Sequence, residues 1–201
     1  MKVGLSRYQK IVKRLFDLFF SFIGLLLMLL PLFIFIILAT ISTKKWGLYS
    51  QNRIGSGGKP FVMYKVRSMK EGDDSTGITL EDDPRITVFG RFIRKFKLDE
   101  IPQLWNVLIG DMSMVGPRPD VPGYADQLSG EDLMILTVKP GITGPATIKY
   151  KNEAALLASQ ENPLAYNDEV IWKDKIKINK NYIENWSLKG DFGFLVGTFF
   201  N

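Results

Sequence analysis

The sequence predicts an α+β protein: a mostly helical domain with one short β-hairpin, attached to a membrane by an N-terminal apolar helix. Three observations carry this. Residues 15–41 form an almost unbroken apolar run. Two β-rich stretches flank the turn Gly55-Ser56-Gly57-Gly58. Elsewhere apolar residues recur at helical spacing, over 85–97 and from 152 to 190. The 201 residues divide into a membrane segment, 1–45, and one compact domain, 46–201.

In the first segment only Asp17, Ser21, Gly24, Pro31 and Thr40 interrupt the apolar run, and no charge falls between Leu18 and Thr43. The run exceeds the roughly 20 residues needed to cross a bilayer core. It is too long for a signal peptide, and no small-residue cleavage site precedes Lys44. Leu15–Leu30 alone spans only ~24 Å as a helix, short of a crossing. Pro31 then removes a backbone donor and crowds the carbonyl of Leu27. A spanning helix with a tolerated kink is one reading. The other is a re-entrant helix, broken at Pro31, that returns to the face it entered from.

Charge favours the second. Residues 1–45 hold seven basic residues and one acid, while the rest holds 19 basic and 20 acidic residues. Lys10, Lys13 and Arg14 precede the apolar run; Lys44, Lys45 and Arg53 follow it. The positive-inside bias places both flanks on the cytoplasmic face of the membrane. Charge concentrated there suits anionic phospholipid headgroups and does not suit nucleic acid.

Beyond Lys45, residues 47–69 read as strand, turn, strand. The glycine turn lacks a GKS/T ending, so it reads as a hairpin loop and not as a phosphate loop. Residues 71–84 are acidic and rich in Gly, Asp and Ser, the composition of a mobile surface loop. Over 85–97, Phe89, Phe92, Ile93 and Phe96 share one helical face and Arg91, Arg94, Lys95 and Lys97 fill much of the rest. That helix is either half-buried or interfacial, lying in the headgroup layer. Asp99 suits the N-cap of a helix whose first turn holds Pro102. Residues 140–145 read as a rigid Pro/Gly turn, 152–190 as helix with a break near Pro163, and 192–200 as a short apolar tail.

The chain has no Cys and no His. This excludes disulfides, thiolate chemistry, the Ser-His-Asp triad and the usual zinc and haem ligands. Catalysis must then use carboxylates, amines, hydroxyls, guanidinium groups or a hard cation, Mg2+ or Mn2+, held by oxygen. Asp99 and Glu100 are adjacent carboxylates in a basic stretch, candidates to hold such a cation. Arg118, between Pro117 and Pro119, is a guanidinium on a stiff turn that can fork onto phosphate.

These pieces together resemble a known family. Residues 98–108, Leu-Asp-Glu-Ile-Pro-Gln-Leu-Trp-Asn-Val-Leu, and 110–119, Gly-Asp-Met-Ser-Met-Val-Gly-Pro-Arg-Pro, are similar to the signature of the bacterial sugar transferases, the small monotopic phosphoglycosyl transferases. Arg53-Ile54-Gly55, residues 64–69, Asp83-Pro84-Arg85-Ile86 and residues 140–144 match in order and spacing. The resemblance covers nearly the whole chain and looks like the family's minimal form.

The resemblance implies transfer of a phospho-sugar from a UDP-sugar to a polyprenol (undecaprenyl) phosphate, with release of UMP. It implies Asp99 as nucleophile, a covalent phospho-sugar intermediate and ping-pong order. It implies Mg2+ (or Mn2+) held by Glu100 with Asp99. Arg94 and Arg118 match family arginines near the phosphates, and Lys65 a family lysine. A re-entrant helix and a place on the bacterial inner membrane are also family features.

The chain departs from the pattern in three places. Leu30-Pro31 stands where a Ser-Pro pair is usual. Pro145-Ala146-Thr147 replaces Trp-Ala-Gln. Asn179 replaces an acid, for which Asp174 is a possible stand-in. Two other classes compete with this reading: a non-enzymatic membrane scaffold that binds anionic lipid or a partner, and a glycosyltransferase that moves only the sugar and releases UDP.

Overall fold

The computed structural model describes residues 4–72 and 83–200, with only the backbone at 199 and 200. The acidic loop expected over 71–84 falls largely outside the described residues.

Helix α1 runs from Arg7 to Thr43. Its start is set by Ser6: the hydroxyl accepts from the Gln9 N–H, and the Gln9 side chain accepts from the Ser6 N–H. It ends at Lys44, whose φ of 57° turns the chain. The break expected at Pro31 is not there. Pro31 lies inside one continuous helix. A single missing N–H costs one rung of the ladder, and the neighbouring rungs hold.

Contacts along α1 are uneven. Phe16 and Phe20 pack on the main core, and Gly24 lies against Leu104. Ala39, Leu32 and Phe35 pack with Val66, Ile93 and Phe89. Between these arms, Leu26, Leu27, Met28, Leu29 and Leu30 are all exposed. Five consecutive residues turn through more than 360°, so no face of the helix is covered there.

Two of the basic residues before the apolar run, Lys13 and Arg14, reach into the domain. Lys13 is buried, with its ammonium 2.5 Å from Asp191 and 3.1 Å from the Tyr182 hydroxyl. Arg14 donates to the carbonyls of Val107 and Leu108 at 2.6 and 2.8 Å. Asp17 accepts from Ser113 Oγ and the Met114 N–H, each at 2.9 Å. The root of α1 is therefore built into the domain.

The hairpin forms as expected. Strand β1 (Leu48–Ile54) pairs antiparallel with β2 (Pro60–Val66), from Leu48↔Val66 to Ile54↔Pro60. Gly57 supplies the positive φ of 69° in the connection.

Helix α2 is shorter than predicted, Val88–Lys95, with Thr87 as its N-cap. It buries Gly90 and Ile93 and leaves Val88, Phe92 and Phe96 exposed. A Cβ at Gly90 would lie 1.9 Å from the Ser68 carbonyl oxygen, so close backbone packing explains that glycine.

Helix α3 spans Gln103–Ile109 and leads to β3 (Ser113–Val115). The residues read as a rigid turn at 140–145 contribute a strand instead: β4 (Gly141–Thr143) pairs parallel with β3. A Cβ at Gly141 would meet Gly116 N at 2.1 Å, so only glycine allows this approach of two chains. The remainder is helical: α4 (Pro145–Lys149), α5 (Glu153–Ala158), α6 (Pro163–Tyr166), a π turn (Asn167–Ile171), α7 (Trp172–Glu184) and α8 (Leu188–Phe200). The apolar tail expected at 192–200 is the body of α8. The main core joins Met63, Val107, Met112, Val115, Ile135 and Ile183, and so ties hairpin, α3, β3 and α7 into one body.

Candidate active site

A cleft of about 710 Å³ opens where the hairpin, α2, the residues before α3, the loop after β3, α4, α5 and α7 converge. Lys65, Arg94, Asp99, Glu100 and Arg118, separated by up to 53 positions in sequence, all line it. Pro31 does not.

Local structure explains their placement. After α2, Lys97 takes a left-handed φ of 53° and reverses the chain. A single 3-10 turn, Leu98–Glu100, follows and delivers both carboxylates. The expected capping role of Asp99 is not observed. The helix begins after Pro102, without a side-chain cap, and the N–H groups of Ile101, Leu104 and Trp105 bond to carbonyls three residues back. Those short-range bonds take the donors that a cap would have served.

The two carboxylates differ in their partners. Glu100 Oε1 accepts from Arg118 Nη2 at 2.6 Å and from Lys65 Nζ at 3.4 Å. Burial alone would raise the Glu100 carboxyl, but Arg118 and then Lys65 overcome it and hold it down at about 2. Asp99 is also buried, and among the described residues no group donates a hydrogen bond to its carboxylate. Burial, then the charge of Glu100, pushes Asp99 up; Lys65, Arg94 and Arg118 oppose that shift. Burial pushes the Lys65 ammonium down against the attraction of Glu100.

Arg118 is held by its turn, since the Pro117 carbonyl accepts from the Gly141 N–H at 2.8 Å. Arg94, on α2, has its guanidinium 3.3 Å from the Met69 sulfur. Three cations therefore face two carboxylates, an excess that suits an anionic ligand with two phosphates.

Among the described residues there is no group of three or more Asp, Glu, His or Cys that could hold a metal. Asp99 and Glu100 carry hard oxygen donors of the kind that could fill part of a Mg2+ shell, the rest of which phosphate and water commonly fill.

Other lining residues were not among the site residues expected from the sequence. Arg53, on β1, donates to the Pro119 carbonyl at 3.4 Å and to Gln51 at 2.7 Å. It is recognisable only as part of the Arg53-Ile54-Gly55 match. Burial raises the Asp120 carboxyl to about 6, against the pull of Lys175, Arg53 and Arg118. Thr147 on α4, Tyr150 just after it and Asn179 on α7 also line the cleft. Asp174 does not stand in for Asn179: it lies outside the cleft lining and accepts from Lys149 and the Tyr150 hydroxyl at 2.6 and 2.7 Å.

Comparison with known proteins adds a second line of argument. A family profile described as bacterial sugar transferase matches residues 8–201. The chain is 45% identical over 128 residues to a putative undecaprenyl-phosphate N-acetylgalactosaminyl 1-phosphate transferase of Bacillus subtilis, covering 63% of this chain and 71% of that protein. It is 38% identical to the uncharacterized sugar transferase EpsL of the same organism, covering 94% and 85%. It is 32% identical to the undecaprenyl-phosphate galactose phosphotransferase of Salmonella typhimurium, covering 96% of this chain and 40% of that longer protein.

Proposed function

The chain belongs to the bacterial sugar transferase family, and from that premise we propose that it transfers a sugar 1-phosphate from a UDP-sugar to a polyprenol phosphate, releasing UMP. The names of its relatives, undecaprenyl-phosphate sugar phosphotransferases, support the acceptor and the reaction class.

One observation carries the division of labour. Glu100 is engaged by Arg118 and Lys65, whereas Asp99 is buried beside the same cations and, among the described residues, nothing donates a hydrogen bond to its carboxylate. Asp99 is then the nucleophile. Its oxygen attacks the phosphorus nearest the sugar, an acyl phosphate bond forms, and the bond to UMP breaks with its electron pair leaving on UMP. A polyprenol phosphate oxygen then attacks that phosphorus and releases the Asp99 carboxylate. The product is a polyprenol diphosphate sugar, and neither step needs a proton donor. Arg118, Lys65 and Arg94 neutralise charge on the transferred group. Glu100, with Asp99, would hold Mg2+, whose charge would further neutralise the diphosphate.

The same reading places α1 as a re-entrant helix in the bacterial inner membrane, with the domain on the cytoplasmic face. What supports it is that both arms of α1 touch one body while 26–30 stands free. Exposed Phe92 and Phe96 on α2, Trp105 and Ile109 on α3, and Phe192 on α8 suit helices resting in the headgroup layer.

The deciding experiment incubates purified protein with UDP-sugars, Mg2+ and undecaprenyl phosphate and identifies the nucleotide. UMP supports the proposal. UDP would mean transfer of the sugar alone, and neither nucleotide would leave only a scaffold role.

A further inference from the structure

The mechanism accounts for the dyad and its cations but leaves the part of the cleft lined by α4 and α7 without a role. Helix α4 packs on α7 there, and each contributes one neutral polar side chain, Thr147 and Asn179. Asn179 is 4% exposed, and its Oδ1 is buried without a hydrogen-bond partner. Thr147 Oγ1 is also buried and unpartnered. An orphaned buried polar group costs about 1–3 kcal/mol, so two on one cleft wall is a standing cost that a ligand can offset. Nearby, Glu153 is bonded to Lys175 and Tyr150 to Asp174, so those groups are already in use.

We infer that Thr147 and Asn179 form the subsite that reads the sugar of the UDP-sugar, by accepting hydrogen bonds from its hydroxyl or acetamido N–H groups. This rests on the reading that the cleft takes a UDP-sugar. The chemistry of the wall favours the sugar over the base. Both orphan atoms can accept, and a hexose ring presents several donors at fixed angles, whereas uracil presents one N–H and two acceptors. A site built to pair a ligand hydroxyl discriminates strongly against a ligand that lacks it or turns it away, because the buried group is then left unpaired.

The test measures UMP release as kcat/KM for UDP-glucose, UDP-galactose and their 2-acetamido counterparts, in wild type and in Thr147→Val, Thr147→Ser and Asn179→Ala. Product inhibition by UMP is measured alongside. Thr147→Val and Asn179→Ala should change the ratio between the best and second-best sugar by about fivefold or more, the scale of one hydrogen bond. Thr147→Ser, which keeps the hydroxyl, should leave that ratio near the wild-type value. UMP inhibition should stay within about twofold throughout, since UMP carries no sugar. A ratio of two rates on one preparation cancels the folded fraction, so partial misfolding cannot imitate the effect. An unchanged sugar ratio with weakened UMP inhibition would assign these residues to the nucleotide and overturn the inference. Unchanged values of both would overturn it as well. Absence of UMP release from wild type with every sugar would overturn the transferase reading itself, and this inference with it.

Discussion

Arg118 Nη2 lies 2.6 Å from Glu100 Oε1, and this contact separates the roles of two carboxylates that are neighbours in the chain. One adjacent acid is tied to a guanidinium and held at about 2; the other is pushed up by burial and by its neighbour's charge.

Replacing Asp99 with Asn should reduce UMP release roughly a thousandfold or more, the scale of a removed nucleophile. No capping bond is lost, since Asp99 makes none, so the melting temperature should change little. Wild type with UDP-sugar and Mg2+ alone should gain the mass of a phospho-sugar on the peptide that holds Asp99. Near-normal turnover by the variant, or an adduct elsewhere, would reject the assignment.

Excess EDTA should abolish turnover, and Mg2+ or Mn2+ should restore it where Zn2+ does not, since hard oxygen donors are what Asp99 and Glu100 offer. Glu100→Gln should weaken both activity and the response to Mg2+. An unaltered Mg2+ titration in that variant would reduce Glu100 to a partner of Arg118.

The pair Lys13–Asp191 is almost fully enclosed, with side-chain exposures of 7% and 0%. Removing one partner leaves a buried charge, so Lys13→Met should lose about 3–5 kcal/mol of stability. Tyr182 and Trp186 still donate to Asp191 and limit the loss. Thermal unfolding in detergent micelles measures it; an unchanged midpoint would mean that the clasp does not hold α1 to α8.

Asp120 predicts a pH dependence. Its folded value, about 6, lies above the ordinary 3.8, so the folded state binds this proton more tightly than the unfolded chain. Its contribution is full below about pH 4 and is lost as pH rises through 6. Asp120→Asn cannot ionise, so its stability relative to wild type should increase between pH 4 and 7. A constant difference across that window would reject the raised value.

Both ends of α1 should face the cytoplasm. Single cysteines at Lys10 and Ser56, in a chain with none of its own, should both resist an impermeant thiol reagent in intact cells. Labelling of one alone would make α1 a spanning helix.

The long apolar helix, the hairpin and the helical second half were all legible in the sequence, because each rests on local periodicity or on turn chemistry. So was the importance of 98–119, though only through resemblance. Local reasoning offered capping as one role for Asp99, which the structure does not show, and read Gly141–Thr143 as a turn. The first depends on competing backbone bonds in one 3-10 turn. The second depends on Gly116, distant in sequence, which draws Gly141 into a parallel pair. The basic residues before the apolar run read as headgroup contacts, yet Lys13 finds Asp191 across 178 positions. Composition and spacing thus determined that this protein has a long apolar N-terminal helix and no thiol or imidazole side chain to work with. Which carboxylate Arg118 engages, and which buried polar atoms of Thr147 and Asn179 go unpaired among the described residues, only the tertiary structure decided. Those are properties of burial and distance between residues far apart in the chain, and no local pattern encodes them.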